Sequence, residues 1–146
     1  MILAVVWINF ASTLYLLGLI WCIQIVHYPL MNQVDSDRFR EFHHRHGLRI
    51  SLVVVAPMLV ELASAAALAV RVPIGVNSAL PVIGLVLVAV IWISTFAVQV
   101  PLHRRLALGF DSVAHRRLVN SNWLRTAAWS LRAVVVLMIA IQFSNG

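Results

Sequence analysis

Four stretches of the chain are long and apolar enough to cross a lipid bilayer, and this feature restricts the possible folds more than any other. They comprise residues 2–26, 50–70, 79–102 and 123–143. The first and third contain no charged side chain, the second contains only Glu61, and the fourth contains Arg125 and Arg132. At a rise of about 1.5 Å per residue, each stretch covers the ~30 Å hydrocarbon layer. The sequence therefore predicts an all-α integral membrane four-helix bundle that forms a single transmembrane domain over residues 1–146.

Composition excludes several other classes of protein. Hydrophobic residues make up 62% of the chain and charged residues 11%, whereas a soluble domain carries about 25% charged residues. The single cysteine, Cys22, can form neither an internal disulfide nor a CxxC redox site. The net charge of +6 comes from arginines placed mostly between apolar stretches, where such residues set membrane orientation. Membrane lipids are therefore expected partners, and a nucleic acid is not.

The arginines also predict how the chain is oriented. Residues 27–49 contain four arginines and residues 103–122 contain four, whereas residues 71–78 contain only Arg71. The positive-inside rule then places both arginine-rich segments in the cytoplasm and both termini outside. The first stretch has no basic n-region and no cleavage motif, so we expect a retained helix rather than a signal peptide. We expect the protein to reside in a bacterial cytoplasmic membrane.

Each arginine-rich segment is predicted to contain a short helix at the membrane surface. The first covers about 36–46, where Asp35 can cap the helix start and Gly47 can end it. The second covers about 111–121 and can be capped by Asp111. In the first helix, two phenylalanines and two histidines share one face, as expected for a helix lying at a lipid surface.

A weak internal repeat relates the two halves of the chain. The motif V-x-x-P-L ends the first and third stretches, at residues 26–30 and 98–102. Two tandem helical-hairpin repeats related by an axis along the membrane normal are therefore one description of the bundle; chance similarity between apolar sequences is the other. Pro29 and Pro101 each leave a backbone carbonyl without its usual partner, so both exits are predicted to open toward a polar pocket.

All six histidines lie in or beside the arginine-rich segments, at positions 27, 43, 44, 46, 103 and 115. Four of them are candidate ligands of a transition metal such as Cu, Fe or Zn: His27, His43, His46 and His103. Imidazoles in this position can instead act as bases near neutral pH, or only cap helix ends and contact lipid head groups. Haem is disfavoured, because His27 and His103 lie at the rim of the bundle rather than at its centre.

Glu61 is the most unusual single residue, because an acid inside a membrane is costly and often marks function. It lies roughly 18 Å into the membrane from Arg49, and its best partner is Arg132, roughly 10 Å beyond Arg125. The pair is predicted either to fix the register of the helices or to handle protons at the floor of a cavity. Four further side chains are candidates for lining a substrate cavity, although interhelical hydrogen bonding explains polar residues here equally well. These are Gln24, Trp92, Gln99 and Asn122.

The exit of the third stretch, Val98-Gln99-Val100-Pro101-Leu102-His103, is followed later by Asn122-Trp123-Leu124-Arg125-Thr126. Together they resemble the N-V-P-L-N … W-x-x-x-R-T pattern of the anthrone oxygenase-like family of small four-span membrane proteins. Gln99 and His103 stand where that family usually has asparagines. The His27-Tyr28-Pro29 end of the first stretch is similar to the family's first-helix exit. The resemblance implies an oxygenase that acts on a lipophilic aromatic or quinone-like molecule, as in the oxidation of an anthrone to an anthraquinone.

Two functional hypotheses follow. In the first, the protein is an oxidoreductase whose lipophilic substrate reaches a cavity at the cytoplasmic rim from the bilayer. His27, His43 and His103 would bind a metal or abstract a proton there. Arg49 and Arg125 would stabilise a developing enolate or phenolate, and Glu61 and Arg132 would close the cavity floor. In the second hypothesis, the chain is a non-enzymatic lipid binder, a homo-oligomeric carrier or a small subunit of a larger membrane complex.

Overall fold

The computed structural model describes all of residues 1–146, and it consists of four long helices with no β-strand. The helices are Ile2–Gln33 (α1), Ser36–Val70 (α2), Ala79–Leu106 (α3) and Ser112–Asn145 (α4). Each is long and apolar enough to cross a bilayer. The prediction of an all-α membrane four-helix bundle is therefore confirmed.

The helices form an antiparallel bundle in which α4 is the most enclosed. Half of the apolar stretch of α4 is buried, against 22–28% for the other three helices. It packs along α1 and α3, while the seam between α2 and α3 is the least tightly packed of the seams between neighbouring helices. Because the helices alternate in direction, all six histidines and nine of the eleven arginines lie at one end, which we call the arginine-rich end.

The two surface helices predicted at about 36–46 and 111–121 are not separate elements. Each is the first part of a continuous helix, α2 or α4. Glycine ends a helix where the backbone turns left-handed, and only Gly75 and Gly109 have a positive φ. Gly47 stays helical, so α2 continues straight into the apolar stretch.

Asp35 and Asp111 both precede helix starts, but only Asp111 caps with its side chain. Its carboxylate accepts hydrogen bonds from the backbone N–H groups of Val113 and Ala114 and pairs with Arg105 at 2.6 Å. The Ala114 N–H and the Arg105 guanidinium hold the pKa of Asp111 below its usual value. Asp35 makes no such bond.

Pro29 and Pro101 do not end their helices, because each is preceded by one wide π-helical turn. The turns are Ile23–His27 in α1 and Thr95–Gln99 in α3. A proline supplies no N–H and its ring crowds the preceding turn, and the extra residue of a π turn accommodates both effects. The same distortion stands at matching positions in both halves, which agrees with the description as two helical-hairpin repeats.

Glu61 and Arg132 form an ion pair at the centre of the bundle, with Arg132 Nε and Glu61 Oε1 2.8 Å apart. Each of the other charged-group atoms also has at least one hydrogen-bond partner. Glu61 accepts from Thr13 Oγ1 at 2.9 Å and from Trp129 Nε1 at 3.1 Å. Arg132 donates to Gly84 O at 2.7 Å and to Asn9 Oδ1 at 3.2 Å. This network ties all four helices together, and neither charged residue lines any of the cavities described below.

Gly84 is the point where this network meets α3 most closely. A Cβ added there would lie 2.9 Å from Arg132 Nη1, and the guanidinium cannot move without losing its other partners. We expect Gly84→Ala to lower the free energy of unfolding by about 1–3 kcal/mol, measured by thermal or denaturant unfolding in detergent. Gly18→Ala is the matched control, because nothing lies within 4 Å of that Cβ. Equal stability of the two variants would contradict a tightly held guanidinium.

Candidate functional site

A cavity of about 270 Å³ lies in the seam between α2 and α3, near the arginine-rich end; we call it the seam cavity. Its walls are mostly apolar, with Val54 and Met58 from α2 and Trp92 and Phe96 from α3. Phe96 is 60% exposed on the surface of the bundle, so the cavity reaches the lipid-facing surface. A molecule dissolved in the bilayer can therefore enter between these two helices.

The inner end of the seam cavity is polar and positively charged. Tyr28, Gln99, His103 and Arg125 line it, and no carboxylate does. Arg125 and Gln99 are 7% and 2% exposed. A buried guanidinium with no facing acid favours an acceptor or an anion as the bound group.

Three buried polar atoms of the lining residues have no hydrogen-bond partner. They are Trp92 Nε1, Gln99 Oε1 and Arg125 Nε. Buried polar groups in proteins are nearly always paired, so each unpaired atom calls for an explanation. All three belong to residues that line the seam cavity, so they are the first candidates for polar contacts with a bound molecule.

The orientation of the Gln99 amide follows from its neighbour. Gln99 Nε2 donates to Ser121 Oγ at 3.0 Å. The single proton of Ser121 is already donated to the Arg117 carbonyl at 2.6 Å, so Ser121 can only accept from Gln99. The Gln99 oxygen is therefore the free atom.

Arg125 is held in place from two sides. Its Nη1 donates to Asn122 Oδ1 at 3.1 Å, and the guanidinium stacks over the Trp129 ring with 5.1 Å between its carbon and the ring centroid. Asn122 is fixed in turn by donating to Gln24 Oε1 at 2.7 Å. Gln24 and Asn122, predicted as cavity-lining residues, therefore lie behind Arg125 and position it.

Three side chains form a continuous series of hydrogen bonds at the polar end of the seam cavity. Tyr28 Oη lies 3.1 Å from His103 Nε2, and His103 Nδ1 lies 3.2 Å from His43 Nε2. His43 and His103 also line a second cavity of about 370 Å³ at the arginine-rich end, whereas Tyr28 lines the seam cavity and not this second one. These hydrogen bonds therefore connect the lipid-accessible seam cavity to the arginine-rich end of the bundle.

The four predicted metal ligands come together but do not surround one point. No group of three or more His, Cys, Asp or Glu side chains has a metal-binding arrangement. His43 and His103 form a hydrogen bond with each other. The rings of His27 and His46 stack with their centroids 4.2 Å apart. Stacked rings direct their nitrogens along parallel planes rather than toward a shared ion. The arrangement suits proton transfer better than three-ligand coordination.

The other predicted site residues lie outside the seam cavity. Arg49 is exposed and lines a groove on another face of α2, together with His27. It therefore does not join Arg125 at a common oxyanion site, because Arg49 lies on an exposed face of α2 whereas Arg125 lies on a buried face of α4. Glu61 and Arg132 do not form the cavity floor, because their network is closed within the bundle core.

Tyr28 was not predicted as a site residue. The one sequence feature that could have indicated it is its position directly before Pro29. A π turn next to a proline changes which side chains face the interior of the bundle. His115 has a structural contact: it is buried, and its Nε2 lies 2.8 Å from the Tyr28 carbonyl. Since a carbonyl only accepts, that nitrogen carries a proton.

No family model, curated protein or solved structure matches the chain.

Proposed function

We propose that this integral membrane protein is an oxygenase-like enzyme that binds a lipophilic aromatic or quinone-like molecule in the seam cavity. The observation that carries the proposal is the cavity itself: a mostly apolar cavity open to lipid, lined by His103 and by three residues that each have an unpaired, buried polar atom. Ligand sites typically combine apolar walls with a few convergent polar groups in this way.

The unpaired atoms indicate which hydrogen-bonding groups the ligand must carry. Arg125 Nε and Trp92 Nε1 are donors, so each requires an acceptor such as a carbonyl or phenolate oxygen. Gln99 Oε1 is an acceptor, so it requires a hydroxyl. A flat aromatic molecule that carries both carbonyl and hydroxyl groups meets these requirements, and its rings fit against the apolar walls.

His103 is the proposed general base. It lines the cavity, and its two nitrogens face Tyr28 and His43. The substrate proton would pass to Tyr28 Oη as the tyrosine's own proton moves to His103 Nε2. The proton on His103 Nδ1 would then move to His43 Nε2. Arg125 stabilises the negative charge that develops on the substrate oxygen, in a cavity from which bulk water is largely excluded.

Oxidation of the deprotonated substrate requires molecular oxygen as the second reactant. In an anthrone, the ring methylene lies between the two aryl rings, opposite the ketone, and this CH₂ group becomes C=O. One oxygen atom of O₂ enters the product and the other leaves as water. This balance uses only groups that the proposal names, and it matches the activity implied by the sequence resemblance.

The proposed topology has the arginine-rich end in the cytoplasm of a bacterial cell and both termini outside. The number of arginines at that end supports it. Protons from the substrate would then be released on the cytoplasmic side.

A cavity-filling variant tests whether the seam cavity is the binding site. Val54 lines the cavity, and its neighbour Val53 does not and is 41% exposed. We expect Val54→Trp to weaken binding of 1,8-dihydroxyanthraquinone about tenfold or more, which corresponds to about 1.4 kcal/mol. The measurement is a fluorescence or absorbance titration in detergent.

Val53→Trp adds the same side chain on the lipid-facing surface and should bind the probe like the wild type. Val54→Phe is a smaller filler for the case in which the tryptophan variant does not fold. Equal affinity in all folded variants would contradict binding in this cavity.

A further inference from the structure

A groove of about 500 Å³ lies on the surface of α2 beside the end of the π turn of α1. Besides one phenylalanine, its lining is entirely polar or charged. We call it the arginine groove, and its polar residues are His27, Arg38, Glu41, Arg45, His46 and Arg49. It is separate from the seam cavity, with which it shares only His46.

The three arginines belong to one face of α2. Arg38, Arg45 and Arg49 stand at positions i, i+7 and i+11 of a continuous helix, and these positions lie within a narrow sector of the helical wheel. They extend over about 16 Å along the helix axis. Arg49 directly precedes the apolar stretch of α2, so the row begins where the lipid head groups would lie.

The groove carries more positive than negative charge. Glu41 is its only acid and is bound to Arg45 at 2.6 Å. The other two ion pairs of the protein are Arg105–Asp111 and Glu61–Arg132, so neither Arg38 nor Arg49 has a carboxylate partner. Two guanidinium groups on the same face are thus available for an external anion.

His27 provides a second, independent indication of a ligand. Its Nε2 atom is buried and has no hydrogen-bond partner, although the ring is fixed by stacking against His46. His27 lines the groove, and in the tautomer with a proton on Nε2 this atom is a donor without an acceptor. An anion bound to the arginines would give it an acceptor.

We propose that the arginine groove binds a negatively charged phosphate group, with Arg38 and Arg49 as charged donors and with His27 in the lining of the groove. Guanidinium groups match phosphate oxygens with paired hydrogen bonds, and they retain their charge at all relevant pH values. The head group of an anionic phospholipid and free phosphate share this chemistry. The site is independent of the function proposed for the seam cavity.

The test compares wild type with Arg38→Gln/Arg49→Gln, both purified in a mild neutral detergent. One arm titrates phosphatidylglycerol, with phosphatidylcholine as the neutral reference, and reads bound lipid by native mass spectrometry. The other arm titrates inorganic phosphate against chloride at equal ionic strength and reads the melting temperature. We expect one saturable site whose affinity falls about 30-fold in the double variant, about fivefold per arginine.

Arg40→Gln/Arg116→Gln is the matched control. It removes the same charge at the same end of the protein, but neither residue lines the groove. Saturation by phosphatidylglycerol alone would support a lipid head group, and saturation by inorganic phosphate would support a free phosphate. The proposal is overturned if neither ligand saturates, or if the control loses as much affinity as the groove variant.

Discussion

Glu61→Gln is expected to lower the free energy of unfolding by about 3–5 kcal/mol, because it leaves the charge of Arg132 buried without its partner. Arg132 is 1% exposed, and its guanidinium already uses the Gly84 carbonyl and the Asn9 amide oxygen. No other acid lies within reach to replace Glu61. Thermal unfolding in detergent, followed by circular dichroism, measures the loss.

Glu41→Gln is the control for this substitution. It removes the acid of the Glu41–Arg45 pair, whose side chains are 68% and 69% exposed. Such surface pairs contribute at most about 1 kcal/mol, so the melting temperature should change little. A Glu61→Gln protein as stable as Glu41→Gln, yet inactive, would show that Glu61 serves function rather than the register of the helices.

His103→Gln is expected to lower turnover of the probe 1,8-dihydroxyanthrone by about 10²–10⁴-fold, the range for loss of a general base. Glutamine retains hydrogen bonding to Tyr28 and His43, but its side-chain amide cannot accept a proton near neutral pH. The affinity for 1,8-dihydroxyanthraquinone should stay within a few-fold of wild type, because Arg125, Gln99 and Trp92 remain. Oxygen uptake and product absorbance measure the turnover.

His44→Gln is the control for this second substitution, because His44 is exposed and makes no hydrogen bond to the Tyr28–His103–His43 chain. It should turn over the probe at the wild-type rate. Unchanged turnover in His103→Gln would contradict the proposed role of His103 as the general base. Tight binding with no oxygen uptake in the wild type would contradict the enzymatic function and indicate a carrier or binding subunit.

The membrane fold could be read from the sequence because length and apolarity decide whether a helix can span a bilayer. The grouping of the histidines followed from the same reading, since alternating spans bring both arginine-rich segments to one end. The helix boundaries were harder to predict from the sequence. Gly47 is compatible with either a helix end or a helix interior, and only the surrounding backbone decides between them.

The candidate site was predicted less completely than the fold. Arg49 and Arg125 are each the fourteenth residue of their helix, but Arg49 is exposed whereas Arg125 is only 7% exposed. This difference depends on how closely α4 packs between α1 and α3, which no local pattern encodes. The role of Tyr28 likewise depends on the π turn before Pro29, and the sequence shows the proline but not the turn.

Photolabelling tests most directly whether the seam cavity is the binding site. A quinone excited by near-ultraviolet light abstracts hydrogen from adjacent C–H bonds, so 1,8-dihydroxyanthraquinone can mark its own site for peptide mass spectrometry. We expect adducts within residues 50–58 of α2 and 92–100 of α3, and their loss in Val54→Trp. Adducts confined to the other apolar pocket, formed by Ile2, Val5, Ala66 and Val70 at the opposite end, would contradict binding between α2 and α3.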